Sequence, residues 1–384
     1  MLDVLGSRPR FPELPYLPHW LPRSVGRQPG ELRAWARYLL LHEAIRLPLI
    51  GGHRVASAVA GLWASRQTPA RNRQLERAVQ RRYWALLERD FGNTRRGLYP
   101  ESLLFDVPFA RYAGNMPRFV VDAPRILERI GARNHKDLPA GVDLAAYPAY
   151  YRRNFHWQTD GYFSRHSAEL YDLGVELLFI GTADVMRRQV LALLAPEAAR
   201  SPIRVLDVGT GTGRFLRQAA RSLPGAELCG VDLSPWYVSY ARDLLAADAA
   251  QNAAPIPRLE VGNAEALPFE DASFDVVTSI FLLHELPRQV RRRVLAEMHR
   301  VLAPGGLLVL EDAAQPSDAA ELAPALAQFS KDLHEPFFAD YQQDDLGSLL
   351  EESGFGAVNV TSAFVAKVVS GRKTLAPRAE QLLH

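Results

Sequence analysis

Cysteine, lysine and long apolar runs are all scarce in this chain of 384 residues. The single cysteine, Cys229, excludes an internal disulfide framework, and its position in an apolar stretch indicates packing rather than a nucleophile. No run reaches the ~18 uninterrupted apolar residues that a membrane-spanning helix needs, and residues 1–10 lack the apolar core of a secretory signal. No spacing of His, Cys, Asp and Glu indicates a metal site. We therefore expect a cytoplasmic protein.

Positive charge is carried almost entirely by arginine and is concentrated in the first part of the chain. Residues 1–150 hold 23 Lys+Arg against 13 Asp+Glu, whereas the remainder holds 22 against 30. A basic helical pattern at about 70–90 has an apolar stripe made of Leu75, Val79, Tyr83, Leu86 and Leu87. We favour an ordinary helix docked by its stripe, and peripheral contact with the inner face of an anionic membrane is the alternative. Nucleic acid is not an expected partner, because aromatic residues are not interleaved with the arginines.

The chain divides at about residue 200, with a second, softer boundary near 140. Residues 8–30 hold eight prolines or glycines and should be extended, and helical patterns follow at about 31–47, 70–90 and 123–131. After residue 200 strands and helices alternate, which indicates a parallel sheet covered by helices on both faces. We therefore expect three parts: a mainly helical, Pro/Arg-rich region (1–140), an aromatic-rich segment (141–200) and an α/β domain (201–384). The sequence does not indicate the oligomeric state.

The stretch 203–215 is the most informative part of the sequence. A β-branched run ends at Asp207, and Gly209, Gly211 and Gly213 follow before a helical pattern begins. Glycines here allow positive φ and close approach of a ligand to the backbone. A dinucleotide site would need its third glycine at position 214, which is Arg214. An acidic residue at the strand end also suits a cationic ligand better than a pyrophosphate.

Further motifs follow in order and at regular spacing. They are a second strand ending in Asp232, the loop 261–269, a strand at 273–280 and the run 301–310. With the glycine motif, they resemble the class I S-adenosylmethionine-dependent methyltransferases over roughly residues 200–370. Segments 158–172, 281–287 and 335–345 look similar to the type 11 group, whose core is similar to the quinone-biosynthesis C-methyltransferases. The resemblance implies a Rossmann-like, seven-stranded, mostly parallel sheet of order 3-2-1-4-5-7-6 that ends in an antiparallel hairpin at 356–370.

The resemblance also implies the cofactor, S-adenosyl-L-methionine, and the residues that bind it. Asp232 would accept hydrogen bonds from the ribose hydroxyls, and Asn263 would accept one from the adenine amino group. Many relatives have Asp where Asn263 stands. The expected cofactor-binding residues are Asp207, Gly209, Thr210, Gly211, Gly213, Asp232, Leu233, Asn263, Ala264 and Ile280.

Two segments are expected at the acceptor end of such a site. His284 follows the fourth strand and is the best candidate base, with Glu285 as its orienting partner; the alternative is a structural hydrogen bond at a strand end. The segment 150–188 is dense in aromatic residues and would form either a lid over the acceptor or core packing. Its candidate substrate residues are His156, Asp160, Tyr162 and Tyr171.

The leading hypothesis is methyl transfer to a small, apolar or aromatic acceptor through an O, N or C atom. The Asn-Pro-Pro-Tyr signature of nucleic-acid base methyltransferases does not occur, since the matching position reads Ser-Ile-Phe-Leu at 279–282. The alternative is a non-catalytic cofactor-binding or interaction protein docked through its basic N-terminal region.

Overall fold

The computed structural model describes residues 28–63, 73–199 and 202–374. Nearly all of the segment expected to be extended, 8–30, therefore lies outside the described residues. In chain order the helices are α1 (Pro29–Trp63), α2 (Arg73–Arg95), α3 (Phe109–Ala132), α4 (Arg165–Leu178), α5 (Ala183–Ala198), α6 (Arg214–Ser222), α7 (Pro235–Asn252), α8 (Arg288–Val301), α9 (Ala323–Asp332), α10 (Phe338–Tyr341) and α11 (Leu346–Glu352).

One seven-stranded sheet forms the centre of the α/β part. Its strands are β1 (Arg204–Val208), β2 (Glu227–Asp232), β3 (Arg258–Val261), β4 (Phe274–Ile280), β5 (Leu302–Ala313), β6 (Phe355–Ala363) and β7 (Ala366–Lys373). They lie in the order β3-β2-β1-β4-β5-β7-β6, and β7 alone runs antiparallel to its neighbours β5 and β6. The predicted order and the terminal hairpin are therefore confirmed.

The strand order changes direction at β1, which pairs with β2 on one side and with β4 on the other. Successive strands are added outwards on one side up to β3 and on the other side from β4 to β5. Val205, Leu206 and Val208 are fully buried, as expected for a central parallel strand covered on both faces. Ligand sites in open α/β sheets lie at such a switch point, outside the carboxyl ends of the strands. The fold thus brings the loops after β1, β2, β3 and β4 to one cleft.

The N-terminal helices share the hydrophobic core of the sheet. Trp35 of α1 and Phe91 of α2 belong to one continuous cluster of buried residues that extends to Val369 of β7. Beside them, the buried carboxylate of Asp90 accepts hydrogen bonds from Arg188 of α5, at 2.6 and 2.9 Å. The core is therefore continuous across the predicted boundaries at 140 and 200, which remain predictions.

The predicted apolar stripe of α2 faces this core, and all five of its residues are buried. Two arginines of the helix have structural partners, because Arg82 and Arg89 each donate a 2.6 Å hydrogen bond to carbonyl oxygens of Phe364 and Ser362 at the terminal hairpin. Arg73, Arg77 and Arg81 line an open surface groove. Membrane contact by α2 would depend on such exposed arginines alone, since the stripe is already covered.

Within the described ranges, no helix is both long enough and apolar enough to cross a membrane.

Candidate active site

The glycine loop between β1 and α6 holds three residues in the left-handed region of φ. The values are 76° at Gly209, 55° at Gly211 and 74° at Gly213, where a side chain would strain the backbone. A Cβ added at Gly209 or Gly213 would lie 3.2 Å from a leucine side chain, whereas one at Gly211 would meet nothing within 4 Å. The backbone at Gly211 is therefore the part of the loop that a ligand can approach closely.

Asp232, the last residue of β2, supports this loop and also faces the cleft. Its Oδ2 accepts a 2.8 Å hydrogen bond from the N–H of Gly211, and its Oδ1 accepts one of 2.8 Å from Ser234. Burial raises the pKa of Asp232 to about 6, although the backbone donors oppose this shift. The carboxylate is thus held in place with hydrogen-bonding capacity left for a ligand.

Asp207 lies beneath the loop rather than in the cleft. Its side chain is buried and accepts a 2.8 Å hydrogen bond from the Thr278 hydroxyl of β4. Burial raises its pKa to about 6. Neither Asp207 nor the predicted residues Thr210 and Gly213 line the pocket in the described structure.

A pocket lies at the carboxyl ends of the strands. The predicted cofactor residues that line it are Gly209, Gly211, Asp232, Leu233, Asn263, Ala264 and Ile280. The Asn263 side-chain oxygen also accepts a 3.0 Å hydrogen bond from the N–H of Glu265 and so shapes the loop after β3. The structure therefore brings together residues that lie up to 71 positions apart in the chain.

Aromatic side chains form the opposite end of the same pocket. They are Tyr150, Tyr151, Phe155, Tyr162, Tyr171, Tyr237 and Phe281. Several belong to a second buried cluster in which Tyr162 stacks on Tyr151, with ring centroids 5.6 Å apart, and meets Tyr237 edge-on at 5.4 Å. The Tyr150 hydroxyl donates a 2.9 Å hydrogen bond to Glu265 and so ties this wall to the loop after β3.

His284 and Glu285 are adjacent in sequence, but their side chains lie in different surroundings. The His284 Nδ1 lies 2.6 Å from Oδ1 of Asp312, and its ring meets Phe338 and Tyr341 edge-on. Burial acts to lower the pKa of His284, but the Asp312 carboxylate outweighs it and raises the value to about 9. Glu285 lines the pocket, whereas His284 does not line it in the described structure. A catalytic role for His284 remains a prediction.

Glu285 has partners from the aromatic segment instead. Its Oε1 accepts a 2.6 Å hydrogen bond from the Tyr162 hydroxyl and lies 3.0 Å from Nε2 of His156. The other ring nitrogen of His156, Nδ1, lies 2.6 Å from Oε1 of Glu335, which follows α9. Burial acts to lower the pKa of His156, but the Glu335 and Glu285 carboxylates together raise it to about 10.

Asp160, the remaining candidate substrate residue, is placed differently. It lies in a turn with φ of 63°, and its carbonyl oxygen accepts a 3.1 Å hydrogen bond from the N–H of Phe163. It does not line the pocket among the described residues. Its visible role is to turn the chain so that Tyr162 faces the cleft.

Comparison with known proteins identifies the family. A family model described as a methyltransferase domain matches residues 205–306. A demethylmenaquinone methyltransferase of Clavibacter sepedonicus is 31% identical over 218 residues, covering 51% of this chain and 83% of the relative. The chain belongs to the S-adenosylmethionine-dependent methyltransferases. A demethylmenaquinone methyltransferase of Deinococcus radiodurans is 41% identical over 143 residues, 37% of this chain and 55% of the relative. An O-methyltransferase of Penicillium expansum is 32% identical over 183 residues, 46% and 60% respectively.

The chain spans little more than half of the length of several curated relatives that it matches, 55% and 60% in two of these cases. The cofactor of the family is S-adenosylmethionine, and the pocket suits it. Gly211 leaves open space for close approach to the backbone, and Asp232 offers a carboxylate of the kind that binds two ribose hydroxyls.

Tyr237, which lines the pocket, and Glu335, which lies behind it, are among the residues that the sequence-predicted candidates did not include. Tyr237 lies in the first turn of α7, capped by Ser234, whose side chain accepts a hydrogen bond from the Tyr237 N–H. Its position just after Asp232 was a signal that could have identified it. Glu335 lies 179 residues after His156 in sequence, and no local pattern connects the two.

Proposed function

We propose that this protein transfers a methyl group from S-adenosylmethionine to a small, apolar or aromatic acceptor. The observation that carries the proposal is the continuity of one pocket from the strand-end residues Asp232 and Asn263 to the aromatic wall and Glu285. Methyl transfer is a direct displacement at the sulfonium carbon, so the protein mainly has to align acceptor and donor and exclude water. A pocket with a cofactor end and an aromatic end is suited to that alignment.

At the cofactor end, each proposed role follows from position. Asp232 would bind the ribose, and Asn263 with Ala264 would bind the adenine. The backbone at Gly211 would contact the methionine part, with Asp207 holding the loop from beneath through Thr278. The cofactor itself supplies the activated methyl group.

At the acceptor end, the lining chemistry favours a flat, uncharged or cationic molecule over an anion. Among the described residues, the pocket lining includes tyrosine, phenylalanine and leucine together with Glu285, and it includes no lysine, arginine or histidine. In the described structure, the hydrogen-bond contacts of the Glu285 side chain, with Tyr162 and His156, both end on Oε1. Its Oε2 would then accept a hydrogen bond from the acceptor molecule, whose methylated atom can be O, N or C.

The proposal is tested by calorimetric titration of S-adenosylmethionine, followed by measurement of S-adenosylhomocysteine release with a panel of small aromatic acceptors. We expect one cofactor site per chain and product release with a subset of the panel. Tight cofactor binding without release for any acceptor or cell extract would instead support the interaction-protein alternative.

The aromatic wall is tested by Tyr171→Ala, because the Tyr171 ring lines the pocket. Loss of one ring contact should raise the acceptor KM roughly tenfold, from about 1.5 kcal/mol of apolar burial, and leave cofactor affinity within twofold. Tyr240→Ala is the matched control, since Tyr240 belongs to the same aromatic cluster but does not line the described pocket. Equal effects of the two variants on KM would argue against acceptor contact by Tyr171.

A further inference from the structure

Three side chains from distant parts of the chain converge behind the aromatic wall. One ligating atom each from His156, Glu285 and Glu335 lies within 4.8 Å of the other two. The side chains are 21%, 11% and 0% exposed, respectively. Glu285 also lines the pocket, so this group borders the acceptor end of the proposed active site.

Glu335 is ion-paired with His156, but its carboxylate accepts no hydrogen bond among the described residues. Its contact with His156 is short but does not have hydrogen-bond geometry, and neither carboxylate oxygen has a hydrogen-bond partner among the described residues. An unsatisfied buried carboxylate is costly unless a cation or several donors compensate for it. A further cationic ligand beside the Glu335 carboxylate would compensate for these missing hydrogen bonds.

The local charge points to a cation as that ligand. The group contains two carboxylates and one imidazole, and within the described part of the chain its ion pairs join only these three residues. Among the side chains that the structure describes, no lysine or arginine forms an ion pair with Glu285 or Glu335. Even with a protonated imidazole, the group keeps one uncompensated negative charge in a buried place.

The backbone around His156 is held in an unfavourable conformation that presents the ring to the carboxylates. His156 and Trp157 have φ values of 54° and 58°, in the left-handed region that residues other than glycine rarely adopt. The Trp157 indole N–H donates a 2.9 Å hydrogen bond to the carbonyl of Asp332, which ties the segment to the chain just before Glu335. Backbone strain of this kind is typical of ligand-binding sites.

We propose that His156, Glu285 and Glu335 bind a divalent transition-metal ion at the acceptor end of the pocket. One imidazole nitrogen and two carboxylate oxygens suit Mn²⁺, Fe²⁺ or Zn²⁺, whereas Mg²⁺ and Ca²⁺ prefer oxygen ligands alone. Three protein ligands leave coordination positions open, as in catalytic rather than structural sites. The role of the ion rests on the proposed function, because in a methyltransferase an ion at this place would bind an oxygen atom of the acceptor.

The test is titration of Mn²⁺ into the full chain after removal of metals with a chelator, followed by calorimetry and by electron paramagnetic resonance. We expect one Mn²⁺ per chain and a ¹⁴N modulation from one imidazole ligand. Glu335→Gln should weaken Mn²⁺ binding at least tenfold, because it replaces an anionic ligand by a neutral amide of the same shape. His156→Asn should abolish the ¹⁴N signal, since asparagine tolerates the left-handed backbone but lacks the ring.

Asp332→Asn is the matched control, because this exposed carboxylate lies three residues before Glu335 and outside the group. It should leave Mn²⁺ affinity unchanged. The site is refuted if the wild-type chain binds neither Mn²⁺ nor Zn²⁺, which would leave a histidine ion-paired with two glutamates. It is also refuted if Glu335→Gln and His156→Asn bind Mn²⁺ as the wild type does.

S-adenosylmethionine affinity is measured on the same samples to separate this proposal from the proposed function. Glu335→Gln should bind the cofactor within threefold of wild type, which also shows that the variant is folded. Metal binding without cofactor binding would overturn the proposed function and keep the ion site. Cofactor binding without metal binding would overturn the ion site and keep the proposed function.

Discussion

Replacement of Asp232 should have the largest effect on cofactor affinity of any single carboxylate in the pocket. Its two oxygens are held by the N–H groups of Gly211 and Ser234, so the carboxylate is already oriented before the ligand arrives. A hydrogen bond to a charged group is worth about 1.5–3 kcal/mol, and two ribose hydroxyls would each donate one. Asp232→Ala should therefore cost at least about 3 kcal/mol, or at least 100-fold in the Kd for S-adenosylmethionine.

The assay is isothermal titration of S-adenosylmethionine and of S-adenosylhomocysteine at pH 7.5. Asp232→Asn should lose less, about tenfold, because the amide keeps one acceptor oxygen. Asp271→Ala is the control, since this side chain is 79% exposed and pairs with Arg300 outside the pocket. Thermal unfolding of each variant checks that the loop change has not destabilised the whole fold.

A double-mutant cycle identifies the interaction itself. The second perturbation is an S-adenosylhomocysteine analogue that lacks one ribose hydroxyl. If Asp232 binds that hydroxyl, the two changes remove the same contact and their free-energy losses should be clearly less than additive. Fully additive losses, or an Asp232→Ala variant within threefold of wild type, would refute the proposed role.

Two further predictions concern pH and stability. Because burial raises the pKa of Asp232 to about 6, this group becomes neutral below that pH, and cofactor affinity should fall about tenfold between pH 7.5 and pH 5. Asp232→Asn should flatten that profile in the same titration, and a persistent slope would assign it to another group. His284→Leu should lower the free energy of unfolding by about 3 kcal/mol, because it leaves the buried Asp312 carboxylate with only backbone donors. Urea denaturation measures this loss; unchanged stability with a tenfold or greater fall in turnover would instead support His284 as a base.

The cofactor half of the site was predictable because its signals are local. A strand end, a glycine turn and a helix start are contiguous from Asp207 to Arg214, and the motifs at Asp232, 261–269 and 273–280 each mark the end of a strand at the same edge of the sheet. Gly211 and Asp232 could thus be predicted as neighbours, and they share a 2.8 Å hydrogen bond. The sequence did not show that Asp207 would lie under the loop, since a strand-end residue can face either the cleft or the interior.

Arg214 has a structural role that the sequence did not reveal. In the sequence it only argued against a dinucleotide-binding loop. In the structure it is buried at the start of α6, where it forms an ion pair with Asp184 of α5 and lies 3.9 Å from Asp172 of α4. The helices before the sheet are therefore joined to the cofactor loop by charge as well as by packing.

By itself, the sequence indicated a parallel sheet covered by helices, because that depends on local periodicity, and its short motifs, through their resemblance to a known family, implied the strand order and the methyl donor. Tertiary structure decided the acceptor end. It turned Glu285 rather than its neighbour His284 towards the pocket, because the short helical turn at Leu283–Glu285 points adjacent side chains in different directions. It also brought His156 and Glu335 to Glu285 from 129 residues before it and 50 residues after it. Contacts over such separations form only when the helices pack on the sheet, so no local pattern could reveal them.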